Sequence, residues 1–574
     1  MPGTSLAVQS LEVNSTSAII DHQLLQHNYQ LNGSTNILNR ILETLISFEN
    51  TLIITPAKGI LRKGFFLARI FAALIRIMPF KTFLFEVKDG LVTQASCLTC
   101  RILTTILKST IYSTDLLAFT TQMVCSIFRI QTYEVCSGVV ASFKDTLHFI
   151  RFNSVLSSSE MCGIFIGLNC ASEITNNLNW TIPLPKRQQI NQNFQTSLDR
   201  PHMLVAHFTD VHLDPFYAPG SRTDCEEPVC CRSQANLMSN LPTFSGVWGD
   251  YRKCDTPLST VNNAIEQISR HNLSYALWTG DIPPHDIWRY TRESNVINIE
   301  KLAHILKTNF KIPVLPAVGN HEAVPINSKE ISFAPPEIDE SLSNSWLYEK
   351  LAFEFFPKWL ARRSYDTFRR SGNYMVRMKQ GFRLISLNTN YCLRLNPWIL
   401  YKTIDPGDQL NFLATELLNA EKSGDKVHII GHVPPDHREC TQPWLLNFIR
   451  IIQRFKDTIL AQFYGHTHRD EFRVLYSPDE PSETIGFELI APSITSYSGT
   501  NTAYRIYKVD QAATIIDYET FVFNLTKTYL GEMPHWISEY KAFSLFNQKQ
   551  ISAKILHDFL QKLERNDTLY DFYH

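Results

Sequence analysis

Apolar residues fall in short runs that stop abruptly, and five of these runs share one kind of ending. Residues 203–208, apolar apart from His207, lead into Asp210-Val211-His212. Residues 275–278 lead into Gly280-Asp281, and 312–318 into Gly319-Asn320-His321-Glu322. Residues 427–430 lead into Gly431-His432, and 460–464 into Gly465-His466-Thr467-His468. Short apolar runs bounded by turn formers predict buried strands. Glycine lets the backbone turn sharply where a strand ends. In layered α/β proteins, sites form where such ends converge. A carboxylate at the mouth of a buried strand, such as Asp281, calls for a cation, because buried charges are paired or bound to metal.

The remaining pattern completes an α/β reading. Residues 383–388 form a further apolar strand, and 408–421 carry helical spacing at Leu410, Leu413, Leu417 and Leu418. Earlier, helical spacing runs through Leu98, Ile102, Ile106 and Leu107, then Leu116, Leu117, Thr120 and Val124. Residues 176–200, with Pro183, Pro185 and several Gln and Asn, lack periodicity and read as a linker. The stretch 535–574 is aromatic-rich and reads as helical. Residues 64–80 are the most apolar early stretch, but Arg69 and Arg76 interrupt them. Each Arg at mid-membrane would cost roughly 2.5–3.5 kcal/mol, so a packed helix is expected there, not a membrane span.

Composition narrows the class. The 574 residues exceed one ordinary domain, and 44% hydrophobic with 19% charged residues is a globular balance. A net charge of -1 gives no reason to expect a nucleic-acid partner. Twelve closely spaced cysteines point to disulfides and an oxidising compartment. Sequons at Asn14, Asn32, Asn179, Asn272, Asn524 and Asn566 agree with secretion. The first thirty or so residues show no basic start followed by an apolar core, hence no ordinary signal peptide.

The strand-end residues Asp210, His212, Asp281, Asn320, His432, His466 and His468 mix imidazole, carboxylate and amide donors. That mixture suits zinc, iron or manganese. Seven ligands exceed one tetrahedral site and fit two metals sharing a carboxylate, for which Asp281 is the expected bridge. Any one motif alone would more often be a hydrogen-bonded core histidine. The ordered series of five resembles the calcineurin-like metallophosphoesterases, which implies two facing mixed sheets flanked by helices. That family implies two Zn2+, one held by Asp210, His212, Asp281 and His468 and the other by Asp281, Asn320, His432 and His466.

Cys97, Cys100, Cys125, Cys136, Cys162 and Cys170 have the layout of a saposin domain over about 89–173. That resemblance implies amphipathic helices stapled by Cys97–Cys170, Cys100–Cys162 and Cys125–Cys136. Sequence alone leaves fifteen pairings open. The saposin resemblance implies lipid presentation, against a plain packed helical domain. For the rest, Cys225–Cys230, Cys231–Cys254 and Cys392–Cys440 are the expected pairs; a structural zinc on the first four is the competing reading. The expected organisation is an N-terminal extension or pro-segment (1–88), saposin domain (89–173), linker (174–200), catalytic domain (201–520) and helical C-terminal lobe (521–574).

Together with Gly280-Asp281-Ile282-Pro283-Pro284-His285-Asp286, Thr403-Ile404-Asp405-Pro406 and Ala491-Pro492-Ser493-Ile494-Thr495-Ser496-Tyr497, the two parts resemble the acid sphingomyelinase family over about 89–530. One departure is that no cysteine follows Cys440. The resemblance implies hydrolysis of sphingomyelin on an anionic membrane surface by a lysosomal or secreted monomer. His321 is the expected general acid and His285 its support, or an orienter of a ligand. Tyr497 is expected near the substrate phosphate or headgroup, against a packed loop aromatic. His207 and His437 are assigned to core or surface. A phosphodiesterase of soluble nucleotides, and a lipid-transfer protein with a non-catalytic metal site, are the alternatives.

Overall fold

The computed structural model describes residues 8–10, 94–109, 114–127, 130–187, 202–232, 244–328, 338–360, 362–497, 499–528, 532–548 and 550–565. Of the expected N-terminal extension only β1 (Val8–Ser10) is described; the apolar stretch 64–80 lies outside the described residues.

Four helices come first: α1 (Gln94–Ser109), α2 (Thr114–Ile127), α3 (Tyr133–Asn153) and α4 (Ser158–Phe165). Three disulfides tie them: Cys97–Cys170, Cys100–Cys162 and Cys125–Cys136. At the start of α4, Ser157 Oγ accepts from the Glu160 amide and the Glu160 carboxylate accepts from the Ser157 amide. This reciprocal cap explains a helix beginning directly after the Asn153 break.

The α/β body follows. Its elements in chain order are β2 (Met203–Phe208), α5 (Leu258–Ser269), β3 (Tyr275–Trp278), α6 (Arg292–Asn309), β4 (Val314–Pro316), α7 (Ser345–Trp359) and α8 (Arg362–Ser371). Next are β5 (Tyr374–Lys379), β6 (Phe382–Ser386), α9 (Gln409–Ser423), β7 (Lys426–Ile430), α10 (Gln442–Arg454), β8 (Ile459–Tyr464), β9 (Glu471–Tyr476) and β10 (Thr484–Ile490). The last are β11 (Ala503–Val509), β12 (Ile515–Phe523), β13 (Trp536–Lys541), α11 (Ala542–Phe546) and α12 (Ala553–Leu563).

The strands form two mixed sheets. One has the order β13-β12-β11-β2-β3-β4, the other β1-β9-β10-β8-β7-β6-β5. β2, β3 and β4 run parallel, as do β6, β7, β8 and β10. Their inward faces share one apolar core, including Val205, Leu277, Leu315, Ile430 and Phe463. Near-continuous burial along β3, β4 and β6 is the pattern of strands covered on both faces. Three further disulfides pin loops: Cys225–Cys230, Cys231–Cys254 and Cys392–Cys440. The first two use all four clustered cysteines, which removes the structural-zinc reading.

Two expectations need correction. The described C-terminal part is α-helical only in α11 and α12, which pack on the main core, and it does not stand apart as a lobe. β12 crosses the expected boundary at 520/521, and β13 is the edge strand of the first sheet, paired antiparallel to β12. Aromatic residues drew the helical reading, yet Trp536 packs on Tyr504 and Phe523 as a strand residue. The first half of the linker is also docked. Trp180 and Ile182 are buried against α9 and α10, and Asn447 clamps both: its Oδ1 accepts from the Ile182 amide at 2.8 Å and its Nδ2 donates to the Trp180 carbonyl at 2.8 Å. Residues 188–201 lie outside the described residues.

Candidate metal centre

The five motif-bearing strands end at one place, though they belong to different sheets. β2, β3 and β4 deliver Asp210, His212, Asp281 and Asn320 from one; β7 and β8 deliver His432, His466 and His468 from the other. The turns are tight. Asp210, His212, Asp281, His466 and His468 all adopt left-handed backbone, with φ of 50°, 41°, 62°, 74° and 62°. Such conformations cost about 1–3 kcal/mol each and persist where the surroundings enforce them. Two glycines permit the convergence. A Cβ on Gly319 would lie 2.1 Å from Asp281 Oδ1, and one on Gly465 2.0 Å from Thr209 Oγ1.

The donor atoms fall into two sets sharing one oxygen. In the first, His212 Nε2 lies 3.2 Å from His468 Nε2, 3.9 Å from Asp210 Oδ1 and 3.5 Å from Asp281 Oδ2, and His468 Nε2 lies 3.4 Å from Asp210 Oδ1. In the second, His432 Nε2 lies 3.1 Å from Asp281 Oδ2 and 2.8 Å from Asn320 Oδ1, and His466 Nδ1 lies 3.1 Å from Asn320 Oδ1. Tetrahedral ligands at zinc bond lengths stand ~3.3 Å apart, so both sets have the spacing of a metal's coordination shell.

The orientation of the rings agrees. His212 Nδ1 faces the Pro283 carbonyl at 2.8 Å and His432 Nδ1 the Thr279 carbonyl at 2.6 Å. A carbonyl only accepts, so those nitrogens carry hydrogen and each Nε2 presents a lone pair to the centre. The shared carboxylate is fixed by its other oxygen, which accepts from the His321 amide at 2.9 Å. Asp210 accepts from Thr209 Oγ1 at 2.7 Å and from the His466 amide at 2.9 Å. Electrostatics differ between the two sets. Burial pushes the His432 imidazole down, but Asp281 and Asp210 outweigh it and lift it to about 9. The two carboxylates thus favour positive charge at His432, whereas burial and the neighbouring His285 and His321 push His212 in the other set well down. The donors fit divalent metal ions.

His321 and His285 stand at the rim. His321 Nε2 is 4.0 Å from Asp281 Oδ2. On its other side Nδ1 is 2.8 Å from the Tyr290 hydroxyl, which donates to the Pro284 carbonyl. His285 stacks on His212, with centroids 3.9 Å apart, and on Tyr497 at 4.0 Å. Asp255 grips His285 twice, accepting from its amide at 2.6 Å and meeting its Nδ1 at 2.6 Å. Burial, outweighing the nearby acids, holds both His285 and His321 down to about 3, and burial pushes Asp255 up to about 7. Tyr497 uses its hydroxyl on the Pro228 carbonyl and its ring on His285. His207 is a core histidine, bonded to Thr279 and Tyr507, and His437 is exposed.

Sequence reasoning missed Asp255 and Tyr290, which carry no motif. It passed over Glu322, whose carboxylate accepts from the Ile282 amide at 2.9 Å; only its place after Asn320-His321 marked it.

Comparison with known proteins agrees with this geometry. Residues 203–470 match the calcineurin-like phosphoesterase family. The chain is 36% identical over 455 residues to the human sphingomyelin phosphodiesterase, covering 78% of this chain and 71% of that one. It is 32% identical over 491 residues to sphingomyelin phosphodiesterase 1 of Caenorhabditis elegans, covering 82% and 85%. The mouse acid sphingomyelinase-like phosphodiesterase 3b is 30% identical over 383 residues, covering 62% and 78%. A phosphoesterase body whose strand ends converge on two donor sets, with relatives of this identity and coverage, places the chain in the sphingomyelin phosphodiesterase family.

Proposed function

We propose that this chain is a phosphoric diester hydrolase that cleaves sphingomyelin to ceramide and phosphocholine at a centre of two divalent metals, taken as zinc. The observation that carries the reading is the pair of donor sets sharing Asp281 Oδ2. Asp210, His212, Asp281 and His468 would hold one metal, and Asp281, Asn320, His432 and His466 the other. When bound, the metals would activate a water and take up charge on the phosphoryl oxygens.

The chain's own groups manage the leaving alkoxide. The Tyr290 hydroxyl donates to Pro284, so it accepts from His321 Nδ1–H. That interaction orients Nε2 inward, where a proton can pass to the departing ceramide oxygen. Burial keeps the resting imidazole neutral. A phosphodiester anion seated beside it favours the imidazolium, so substrate binding charges the acid. Asp255 and Tyr497 hold His285 against His212, consistent with support of the reaction from a fixed ring.

Lipid presentation falls to α1–α4 in this reading. Phe119, Tyr133, Phe152 and Val155 there are exposed, at 60%, 66%, 60% and 82%. They would meet the acyl region of a membrane while the polar site receives the headgroup. Six disulfides support an oxidising compartment, and Asn179, Asn272 and Asn524 are exposed for glycan attachment. No helix among the described residues is long and apolar enough to cross a membrane.

The test is phosphocholine release from sphingomyelin vesicles at mildly acidic pH, beside hydrolysis of a small soluble phosphodiester, each with and without a chelator. Chelator-sensitive release from vesicles is expected. Cleavage of the soluble substrate alone would shift the reading to a phosphodiesterase of soluble substrates. Chelator-resistant activity would remove the metals from it.

A further inference from the structure

We propose that Glu439 is a positioning residue for the metal ligand His466, and that it sets the affinity of the second metal. The inference rests on the two-metal reading above. His212 and His432 each turn their outer nitrogen to a backbone carbonyl. His466 differs. Its Nδ1 faces the shared donor set, 3.1 Å from Asn320 Oδ1, and its Nε2 lies 3.6 Å from Glu439 Oε2. A small rotation of the ring completes that N–H···O contact. A carboxylate is a stronger acceptor than a peptide carbonyl. It fixes the tautomer and increases donation from the opposite nitrogen.

Glu439 is itself held in place, which a surface acid with no task would not need. Its carbonyl accepts from the Arg394 amide at 2.8 Å, and its amide donates to Asp436 Oδ1 at 2.8 Å. The next residue is tied by Cys392–Cys440. Asp436 in turn meets Arg473 Nη1 at 2.9 Å, and Arg473 is only 3% exposed on β9. The backbone that carries the carboxylate beside His466 is thus braced against the interior of the second sheet. Its side chain remains 35% exposed, so a substitution there disturbs little packing.

The experiment compares the wild-type chain with E439Q, E439A, E439D and H466A. Zinc content is counted, zinc affinity is measured by competition with a chromogenic chelator, and kcat and KM are taken on a soluble phosphodiester. Loss of a ligand's orienting partner typically weakens metal binding ~10–100-fold. E439Q and E439A should loosen one of two zinc ions by that factor, leave the other and KM unchanged, and be partly rescued by E439D. Wild-type affinity at both positions in E439Q and E439A would overturn the proposal. So would an effect on KM alone, which would make Glu439 a headgroup contact. If the wild-type chain holds fewer than two zinc ions, or H466A keeps both, the ligand assignment fails and Glu439 falls with it.

Discussion

Glu488 on β10 is fully buried, neither carboxylate oxygen is hydrogen-bonded, and Arg473 Nη1 stands 3.9 Å away. Burial outweighs the guanidinium and pushes the carboxyl from 4.5 up to about 8. A value raised in the fold stabilises the fold fully below the unfolded value and loses that contribution as pH climbs through the folded one. Glu488 therefore favours the fold in acid and penalises it near neutrality by on the order of a few kcal/mol. Glu488→Gln removes the ionisation. Its Tm relative to wild type should rise between about pH 5 and 8, tracked by thermal unfolding in matched buffers. A pH-independent difference would assign the effect to packing. Gly319→Ala should fail differently: its Cβ would strike Asp281 Oδ1 at 2.1 Å, so zinc binding should be lost even where folded protein is recovered. The seven donors were legible because each follows a strand end and all are metal-binding types. Asp255 was not, because a lone Asp after a cysteine looks like any loop acid until His285 is seen bonded to it.

Among elements, α3 does more than present a surface. Val135 on α3 packs with Val229, Trp288 and Tyr497, and Gly138 lies so close that a Cβ would be 2.2 Å from the Trp288 carbonyl oxygen. Trp288 follows His285 by only three positions, so the helix braces the loop that carries a rim histidine. Gly138→Ala should lower kcat on a soluble phosphodiester ~10-fold or more, since misplacement on the order of 1 Å can cost that much. Zinc content should be unchanged. Phe152→Ser, on the exposed side of the same helix, should impair vesicle hydrolysis only. Equal losses from both variants on both substrates would refute this division. Strand existence was legible from burial on both faces, as in β3 and β7. The fates of β13 and of residues 176–187 were not. A half-exposed edge strand and an irregular docked segment have no period, and only tertiary partners such as Tyr504 and Asn447 define them.

For the molecule as a whole, each donor set draws from both sheets. The first joins Asp210, His212 and Asp281 to His468; the second joins Asp281 and Asn320 to His432 and His466. Metal binding is then linked to the stability of the whole body. A ligand at a hundredfold excess over its Kd adds about 2.7 kcal/mol. Chelation should lower Tm, and zinc should restore it in a concentration-dependent way; a Tm indifferent to zinc would contradict the ligand assignment. The α/β class was readable because the alternation of strands and helices carries it; the two facing sheets came only with the family resemblance, and the order of strands across them left no trace in local pattern.

The same straddling placement governs time as well as equilibrium. An ion clasped between two layers is held by donors from both, so full release needs both layers to let go. Ion release and amide exchange along β3 and β7 should therefore share one slow opening. Ions bound as the chain folds should then exchange only slowly with those it meets later, so stripping and reloading the folded protein takes longer than a single loop's motion.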